Sequence, residues 1–275
     1  MTVRRHGGAD SHAMCRHTIN LVSGRPQDGA YALYSVVPAD KAAILPDAIP
    51  FTDGVVVPLV LEAAACALFV KQPGVAMPGV ATPALGLPLP SLETVQSNKT
   101  LIVYGGSSSV GSMTIQLATA AGLKVISIAS AGHFDMNKSC GAVDCFDYHE
   151  PSFVDKVVEA VSTIGQSFVG IFDAIATPET YANDIAILAR LGGGHLACVH
   201  PPPGDVPENV TAGMIFAVNE VATPVWKDYV TPALHARKLK CLPPPVVVGK
   251  GLEYIQEALN KLKAGVSATK LVVEL

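Results

Sequence analysis

The sequence predicts an α/β protein built on a doubly wound parallel sheet. From Thr100 onward, short apolar runs alternate with amphipathic segments of helical spacing. This alternation is typical of parallel strands joined by crossover helices. The apolar runs are nearly continuous rather than mixed with polar residues, as expected for strands that are covered on both faces.

Five strands and four helices are predicted in this region. The strands are predicted at 100–105, 124–130, 143–148, 169–176 and 193–200. The helices are predicted at 112–122, 134–141, 152–163 and 178–190. Glycine follows the apolar pattern at the ends of the first two helices, at Gly122 and Gly141, where a left-handed residue commonly ends a helix.

The remaining parts of the chain have a different character. Residues 1–20 are polar, without period, and are left unassigned. Residues 21–98 contain strand-like pieces, one helix and a linker rich in proline and glycine at 73–90. We therefore expect an α/β domain of the dinucleotide-binding type at 99–240. A final segment at 241–275 carries one helix and a terminal strand, and we expect it to pack outside the α/β layer.

Composition narrows the classes of function. The 275 residues have a net charge of -4, and 49% are hydrophobic. A chain of this length can bury a sizeable core. Since the sequence has no excess of basic residues, we expect no nucleic-acid partner.

Targeting signals are not evident in the sequence. The most apolar segment, 54–70, contains Pro58 and Glu62, which predicts a buried helix rather than a membrane span. Residues 1–20 have no apolar core of the kind found in signal peptides. The six cysteines include no Cys-x-x-Cys pair, and we expect a cytoplasmic protein with reduced thiols.

The turn after the first predicted strand carries the strongest functional signal. The sequence Leu101–Ser112 runs from an apolar strand into two glycines, three serines, Val110 and Gly111 before a helix begins. In doubly wound sheets ligands bind at this edge, and unpaired amides at a helix N-terminus hold phosphate well. We therefore predict that Gly105 and Gly111 bracket a turn that binds a pyrophosphate. The alternative is a plain strand–turn–helix connection without a ligand.

Other classes of glycine-rich turn fit less well. Ser112 stands where a phosphate-binding P-loop needs lysine. The segment 106–110 lacks the final glycine of a nucleophile elbow. No tyrosine has lysine four residues later, which excludes short-chain dehydrogenases. A methyltransferase that uses S-adenosylmethionine is a weaker interpretation, because no acid follows the second strand.

The end of the second strand bears on the choice of cofactor. Enzymes that use NAD usually have an acid there, which accepts from the ribose 2′-hydroxyl. Here the strand ends at Ser130, and the first acid afterwards is Asp135. This pattern favours NADPH, with Lys138 and Tyr148 as further donors to the 2′-phosphate. The alternative is that Ser130 is an ordinary strand terminus.

These residues resemble the zinc-independent medium-chain dehydrogenase/reductases, which include quinone reductases and fungal trans-acting enoyl reductases. Ser108 departs from the glycine that many members have in the middle of the turn. Only a short unrelated segment precedes the first matching residues, where members carry most of a GroES-like substrate domain. The segments that carry the resemblance are 27–40, 49–69, 104–112, 130–135, 138–148 and 268–273.

The resemblance implies domain roles and an activity. Residues 21–98 would be a remnant of the GroES-like domain, and 241–275 would return to it. The implied reaction is metal-free hydride transfer from NADPH to an activated C=C bond. The substrate would be a small molecule of polyketide metabolism, including one carried on an acyl carrier. No membrane partner and no catalytic acid are implied.

The predicted cofactor site extends beyond the turn. Ala176 and Thr177 follow the fourth strand and are expected to line the cofactor by backbone contact, and Lys270 is the basic residue that the family places near it. His200 follows the fifth strand, where the alternative is an exposed loop histidine. The full set is Gly105, Gly106, Ser107, Ser108, Ser109, Val110, Gly111, Ser130, His133, Lys138, Tyr148, Ala176, Thr177, His200 and Lys270.

Several further residues have competing interpretations. Tyr104 ends the first strand and could face the cleft, but core packing is the favoured alternative. Cys66 is expected to be a core thiol. We expect no metal site, although one local cluster of ligand types occurs at His6, His12, Cys15 and His17.

Two functions remain open at this point. The first is an NADPH-dependent reductase of the enoyl or quinone type. The second is a catalytically silent NADPH-binding module, which the short front segment motivates. A truncated substrate domain would also expose apolar strand edges and the helix at 55–69, and we therefore expect self-association.

Overall fold

The computed structural model describes residues 18–20, 38–71, 74–77, 80–82, 84–217 and 220–275. The strands are β1 (Thr18–Asn20), β2 (Ala42–Ile44), β3 (Gly74–Met77), β4 (Val80–Thr82), β5 (Lys99–Tyr104), β6 (Lys124–Ala129), β7 (Ala142–Asp147), β8 (Ser167–Asp173), β9 (Gly194–Cys198), β10 (Val210–Met214), β11 (Pro245–Lys250) and β12 (Lys270–Glu274). The α-helices are α1 (Phe51–Gly54), α2 (Pro58–Phe69), α3 (Ser109–Ala120), α4 (Phe134–Ser139), α5 (Phe153–Ile164), α6 (Pro178–Arg190), α7 (Thr231–His235) and α8 (Ile255–Ala264).

A six-stranded parallel sheet organises the larger part of the chain. Its strand order is β10-β9-β8-β5-β6-β7. From β5 the chain moves outward through β6 and β7, then returns to β8 on the other side of β5 and continues to β9 and β10. The order therefore reverses between β5 and β8, which confirms the predicted doubly wound fold.

The strand β10 is absent from the sequence-based prediction. Its sequence, VTAGM, is short and mixes polar, small and apolar residues, so it gives no clear strand signal. It nevertheless pairs in parallel with β9 from Val210↔Gly194 to Met214↔Cys198. Tertiary pairing at the sheet edge thus defines a strand that local propensity does not.

The core lies on both faces of this sheet. Ile102 and Val103 are neighbours on β5, so their side chains point to opposite faces of the sheet, and both are fully buried, as the continuous apolar runs predict. Helix α5 buries Phe153, then Val157 one turn later, while its other face is solvated. Such a one-sided apolar stripe is what fixes a helix against a sheet.

The chain divides into two compact units. One unit contains Val60–Ala222 and the six-stranded sheet, and the other contains the described residues before Val60 and from Thr223 onward. The sheet unit begins earlier than the predicted boundary at 99. Backbone hydrogen bonds join the residues before 99 to this unit: Leu87 N donates to Leu68 O at 3.0 Å, and Ser97 N donates to Gly122 O at 2.9 Å.

The second unit contains its own small sheets. Strands β11 and β12 pair in parallel, starting at Pro245↔Lys270, with α8 between them in sequence. The predicted terminal strand and the predicted helix are therefore present, whereas β11 was not predicted as a separate strand. A π-helical stretch at Val225–Val230 leads directly into α7 and buries Trp226.

Helix α2 is a core helix. Residues Phe51–Phe69 form one stretch that is long and apolar enough to cross a membrane, but 72% of it is buried inside the protein. Every residue of 60–69 is buried, and Leu59 is exposed. The prediction of a buried helix is confirmed. The expectation that the helix at 55–69 is exposed is wrong for 60–69, so self-association has to depend on other surfaces and stays a prediction.

The sheet core supplies the first testable prediction. Ile126→Ala deletes three buried carbons from β6, and we expect the free energy of unfolding to fall by about 2–5 kcal/mol. Val143→Ala on the adjacent strand β7 is the matched control, because Val143 is 52% exposed. Urea unfolding measures both. Equal losses for the two variants would contradict the assigned burial.

Candidate functional site

The turn between β5 and α3 is packed backbone against backbone. Gly105 has φ +76°, and its amide donates to Ile128 O at 2.9 Å. A Cβ atom placed on Gly111 would lie 2.2 Å from the carbonyl oxygen of Gly105. The first turn of α3 therefore approaches the end of β5 more closely than any side chain allows.

The N-terminus of α3 leaves backbone donors unused. Ser108 is the N-cap, and its Oγ accepts from the amide of Gly111 at 3.0 Å. Within the described residues, the amides of Ser107, Ser109 and Val110 donate no hydrogen bond to the protein. Three unpaired amides at the positive end of a 12-residue helix make this turn suited to an anion.

A second turn meets the first at the point where the strand order reverses. Ala174 N donates to Tyr104 O at 3.0 Å, which holds the end of β8 beside the end of β5. A Cβ atom on Gly105 would lie 2.6 Å from Cγ1 of Ile175. The turns at 105–108 and 174–177 thus lie side by side at the switch point, and we call the space outside them, where doubly wound folds bind ligands, the crevice.

Helix α6 begins at this second turn. Thr177 is its N-cap and forms a capping box with Thr180, and Ala176 precedes it in the left-handed region at φ +59°. The two residues that the sequence places on the cofactor path, Ala176 and Thr177, therefore lie in the switch-point crevice. The amide of Ala176 donates to Asp173 Oδ1 at 2.9 Å and that of Thr177 to Thr180 Oγ1 at 3.0 Å, so both backbone donors are used within the protein.

The loop after β6 contains the predicted 2′-phosphate donors. Ser130 follows β6 and is half-buried, and its hydroxyl makes no capping hydrogen bond to the short 3₁₀ turn Ala131–His133. His133 is half-buried at the start of α4, and Lys138 is exposed near the end of that helix. Tyr148 is exposed just after β7, with its ring centroid 4.1 Å from that of His149.

One acid near this loop escaped the sequence-based analysis. Asp147 ends β7, in register with Ala129, and its Oδ2 accepts from Ala131 N at 3.3 Å. Its Oδ1 accepts from His149 N at 3.0 Å and lies 2.7 Å from the imidazole Nδ1. These bonds, first that from the His149 backbone, lower the pKa of Asp147. The sequence did indicate this acid, because Asp147 lies near the end of the predicted strand 143–148, which neighbours the second strand.

Tyr104 belongs to the core rather than to the cleft. Its side chain is 4% exposed, its hydroxyl accepts from Asn183 Nδ2 at 3.3 Å, and its ring lies edge-on to Phe153. Burial raises the pKa of the Tyr104 hydroxyl to about 12. The favoured alternative of core packing is therefore the one that the structure shows, and Tyr104 is not a proton donor to a substrate.

The last two candidates are His200 and Lys270. His200 is exposed after β9, and its carbonyl accepts from the hydroxyl of Tyr181 at 3.2 Å. Lys270 begins β12 in the other unit and is half-buried there, which lowers the pKa of its ammonium group. The crevice described above is therefore built from the sheet unit alone.

Comparison with known proteins identifies the family of this chain. A family model described as zinc-binding dehydrogenase matches residues 109–222. The dehydrogenase orsE of Emericella nidulans is 67% identical over 261 residues, which are 94% of this chain and 75% of that protein. The chain belongs to the zinc-binding dehydrogenase family of medium-chain dehydrogenases/reductases.

Two further proteins extend the comparison, one by sequence and one by fold. The trans-enoyl reductase himH of Aspergillus japonicus is 34% identical over 94% of this chain and 72% of its own length. A mycobacterial protein, Rv1454c, solved in complex with NADPH, is 19% identical with a TM-score of 0.57, covering 87% of this chain and 70% of that one. The family resemblance and the Rossmann-type fold are confirmed. Membership makes this chain an oxidoreductase-family protein whose fold is suited to a nicotinamide cofactor.

The family name raises the question of zinc. Zinc needs three or four cysteine, histidine or carboxylate ligands in one place. Across the described ranges no group of three such residues comes together, and the cluster from His6 to His17 lies outside those ranges. Cys66 is fully buried, and Phe216 N donates to its Sγ at 3.4 Å. The described residues of this medium-chain dehydrogenase/reductase therefore do not fit a zinc ion.

The close approach of α3 to β5 predicts a strong glycine requirement. Gly111→Ala places a methyl group against the carbonyl of Gly105, and we expect a loss of about 1–3 kcal/mol in the free energy of unfolding. Gly132→Ala is the matched control, since a Cβ atom there meets no atom within 4 Å. Thermal and urea unfolding compare them. A Gly111→Ala variant as stable as the control would refute the packing.

Proposed function

We propose that this chain is an NADPH-dependent oxidoreductase that reduces an activated C=C bond of a small molecule without a metal. The observation that supports it most is the row of unpaired amides at the start of α3, held at the switch point by the contact between Gly111 and Gly105. Family membership supports redox chemistry, and himH, a relative named as a trans-enoyl reductase, supports the enoyl class of substrate.

The pyrophosphate of the cofactor would bind at the α3 turn. The amides of Ser107, Ser109 and Val110 would donate to its oxygens, and the helix dipole would favour its charge. From there the cofactor would run along the crevice past the backbone of Ala176 and Thr177. The crevice opens at the carboxyl ends of β5 and β8, where the reacting ring would lie.

The adenosine end would lie at the loop after β6. Ser130 offers an uncapped hydroxyl, and Lys138 offers an exposed ammonium group. Asp147 stays ionised, but its oxygens already accept hydrogen bonds from Ala131 and His149 within the protein. This arrangement supports NADPH over NADH, because a 2′-phosphate would find donors at the strand end rather than a free carboxylate.

NADPH, when bound, would supply a hydride to the β-carbon of the substrate and become NADP⁺, and a proton from water would neutralise the resulting negative charge on the substrate. The chain contributes binding and orientation of the reactants in the crevice. Tyr104 is buried and does not serve as the acid. The exposed His200 stays a prediction for a group near the reacting ring. An enoyl thioester on an acyl carrier, an enone or a quinone would meet the chemical requirement.

Binding and turnover test this proposal separately. NADPH fluorescence titration on the folded chain is expected to give saturable binding that is at least about tenfold tighter than that of NADH, a difference of about 1.4 kcal/mol. Absorbance at the NADPH band then follows oxidation with enoyl thioesters, enones and quinones. Binding without turnover on any substrate would assign the silent nucleotide-binding function instead. Absence of binding would overturn both.

The strand end after β6 is expected to decide cofactor preference. Ser130→Asp puts a carboxylate beside the predicted 2′-phosphate, and like charges repel, so the NADPH-to-NADH affinity ratio should fall about tenfold or more. Ser167→Asp is the matched control, because Ser167 is exposed at the start of β8, the opposite edge of the sheet. An unchanged ratio in Ser130→Asp would remove Ser130 from the site.

A further inference from the structure

A buried polar cluster lies directly beneath the crevice. In the sheet register Asp173 at the end of β8 stands beside Tyr104 of β5 on one side and Cys198 of β9 on the other. Helix α6 adds Asp184 to this cluster. Both aspartates are fully buried, at 0% exposure. Two carboxyl groups in a core need a specific arrangement, because an unpaired buried charge is costly.

Asp173 accepts three hydrogen bonds from the chain around it. Its Oδ1 accepts from the amides of Ile175 at 2.8 Å and Ala176 at 2.9 Å. Its Oδ2 accepts from Thr180 Oγ1 at 2.5 Å. Three donors therefore converge on one buried carboxyl group. All three belong to the wall of the crevice at 174–177 or to the first turn of α6.

Asp184 has the opposite environment. Neither of its oxygens receives a hydrogen bond from the described part of the chain. Burial, and then the charge of Asp173, raise the pKa of Asp184 well above its usual value. Two ionised carboxyl groups side by side in the core would repel each other without compensation. A protonated Asp184, in contrast, is a donor, and the neighbouring carboxylate is an acceptor.

We propose that Asp173 and Asp184 form a positioning pair that shares one proton, with Asp184 protonated and Asp173 ionised, and that this pair fixes the crevice wall at 174–177. Ala176 is held in the left-handed region at φ +59°, a conformation that costs a non-glycine residue energy. The two amide bonds to Asp173 offset that cost. The pair acts through the loop backbone and does not touch the reacting atoms.

The other titratable groups around the pair stay in one charge state near neutral pH. Tyr104 on β5, Tyr181 on α6 and Cys198 on β9 face the pair, and burial, followed by neighbouring charges, raises their pKa values. All three are neutral between pH 5 and 8. Glu179 on α6 is exposed at the surface. A pH effect from this cluster in that range therefore comes from the two aspartates.

The proton on Asp184 has a defined effect on stability. An aspartate ionises near pH 4 in the unfolded chain but at higher pH in this core. Above about pH 4 the folded state therefore binds more protons than the unfolded state, and stability falls as pH rises toward the folded pKa. The Asp184→Asn variant carries an amide in place of this carboxyl group and has no proton to lose there, so its stability is not subject to this fall.

Melting temperatures from pH 5 to 8 test the pair in the apoprotein. The melting temperature of Asp184→Asn minus that of the wild type is expected to rise by about 3 °C or more from pH 5 to pH 8. Asp155→Asn is the control, since Asp155 is exposed in a surface ion pair with Arg190 and should show a constant difference. A constant difference for Asp184→Asn would overturn the shared proton.

NADPH affinity tests the positioning of the wall, and this part depends on the proposed function. Asp184→Leu, which lacks a donor, and Asp173→Asn should each weaken NADPH about tenfold or more, whereas Asp184→Asn should restore affinity to within about threefold of the wild type. If Asp173→Asn does not fold, Thr180→Val removes one of its donors in its place. A larger loss of NADPH affinity in Asp184→Asn than in Asp173→Asn would overturn the assignment of the proton to Asp184. A wild-type chain without NADPH affinity would overturn the proposed function, and the melting series would still test the pair.

Discussion

The contact between Gly111 and the carbonyl of Gly105 is the constraint on which the rest of the site depends. It brings the first turn of α3 onto the end of β5 with no side chain between them. Only this approach leaves the amides of Ser107, Ser109 and Val110 at the surface of the crevice instead of inside a looser turn. An anion site made of backbone donors needs no charged side chain, and the turn contains none.

The topology of the sheet supplies the second wall. The strand order reverses between β5 and β8, and the turns that follow these two strands meet there. The wall after β8 contains Ala176 in a strained conformation, which a buried carboxylate supports from below. The first wall is thus held by glycine packing and the second by hydrogen bonds to Asp173.

The sequence predicted what is encoded locally. Continuous apolar runs identified β5, β6, β7, β8 and β9, and the glycines at 105 and 111 identified the turn. Strand β10 was missed because its mixed VTAGM sequence becomes a strand only by pairing with β9. The attachment of residues 84–98 to the sheet unit was not predicted, because backbone hydrogen bonds make it and these leave no pattern of side chains in the sequence. Asp147 and the pair Asp173–Asp184 were missed because sheet register and helix packing, not spacing in sequence, bring them to their partners.

Amide hydrogen exchange, read residue by residue by NMR, tests the central claim most directly. On addition of NADPH, we predict that exchange at Ser107, Ser109 and Val110 slows strongly, because each amide gains a phosphate oxygen as acceptor. The amide of Gly111, which already donates to Ser108 Oγ, should change little and serves as the internal reference. Unchanged exchange at all three amides in protein saturated with NADPH would contradict the account.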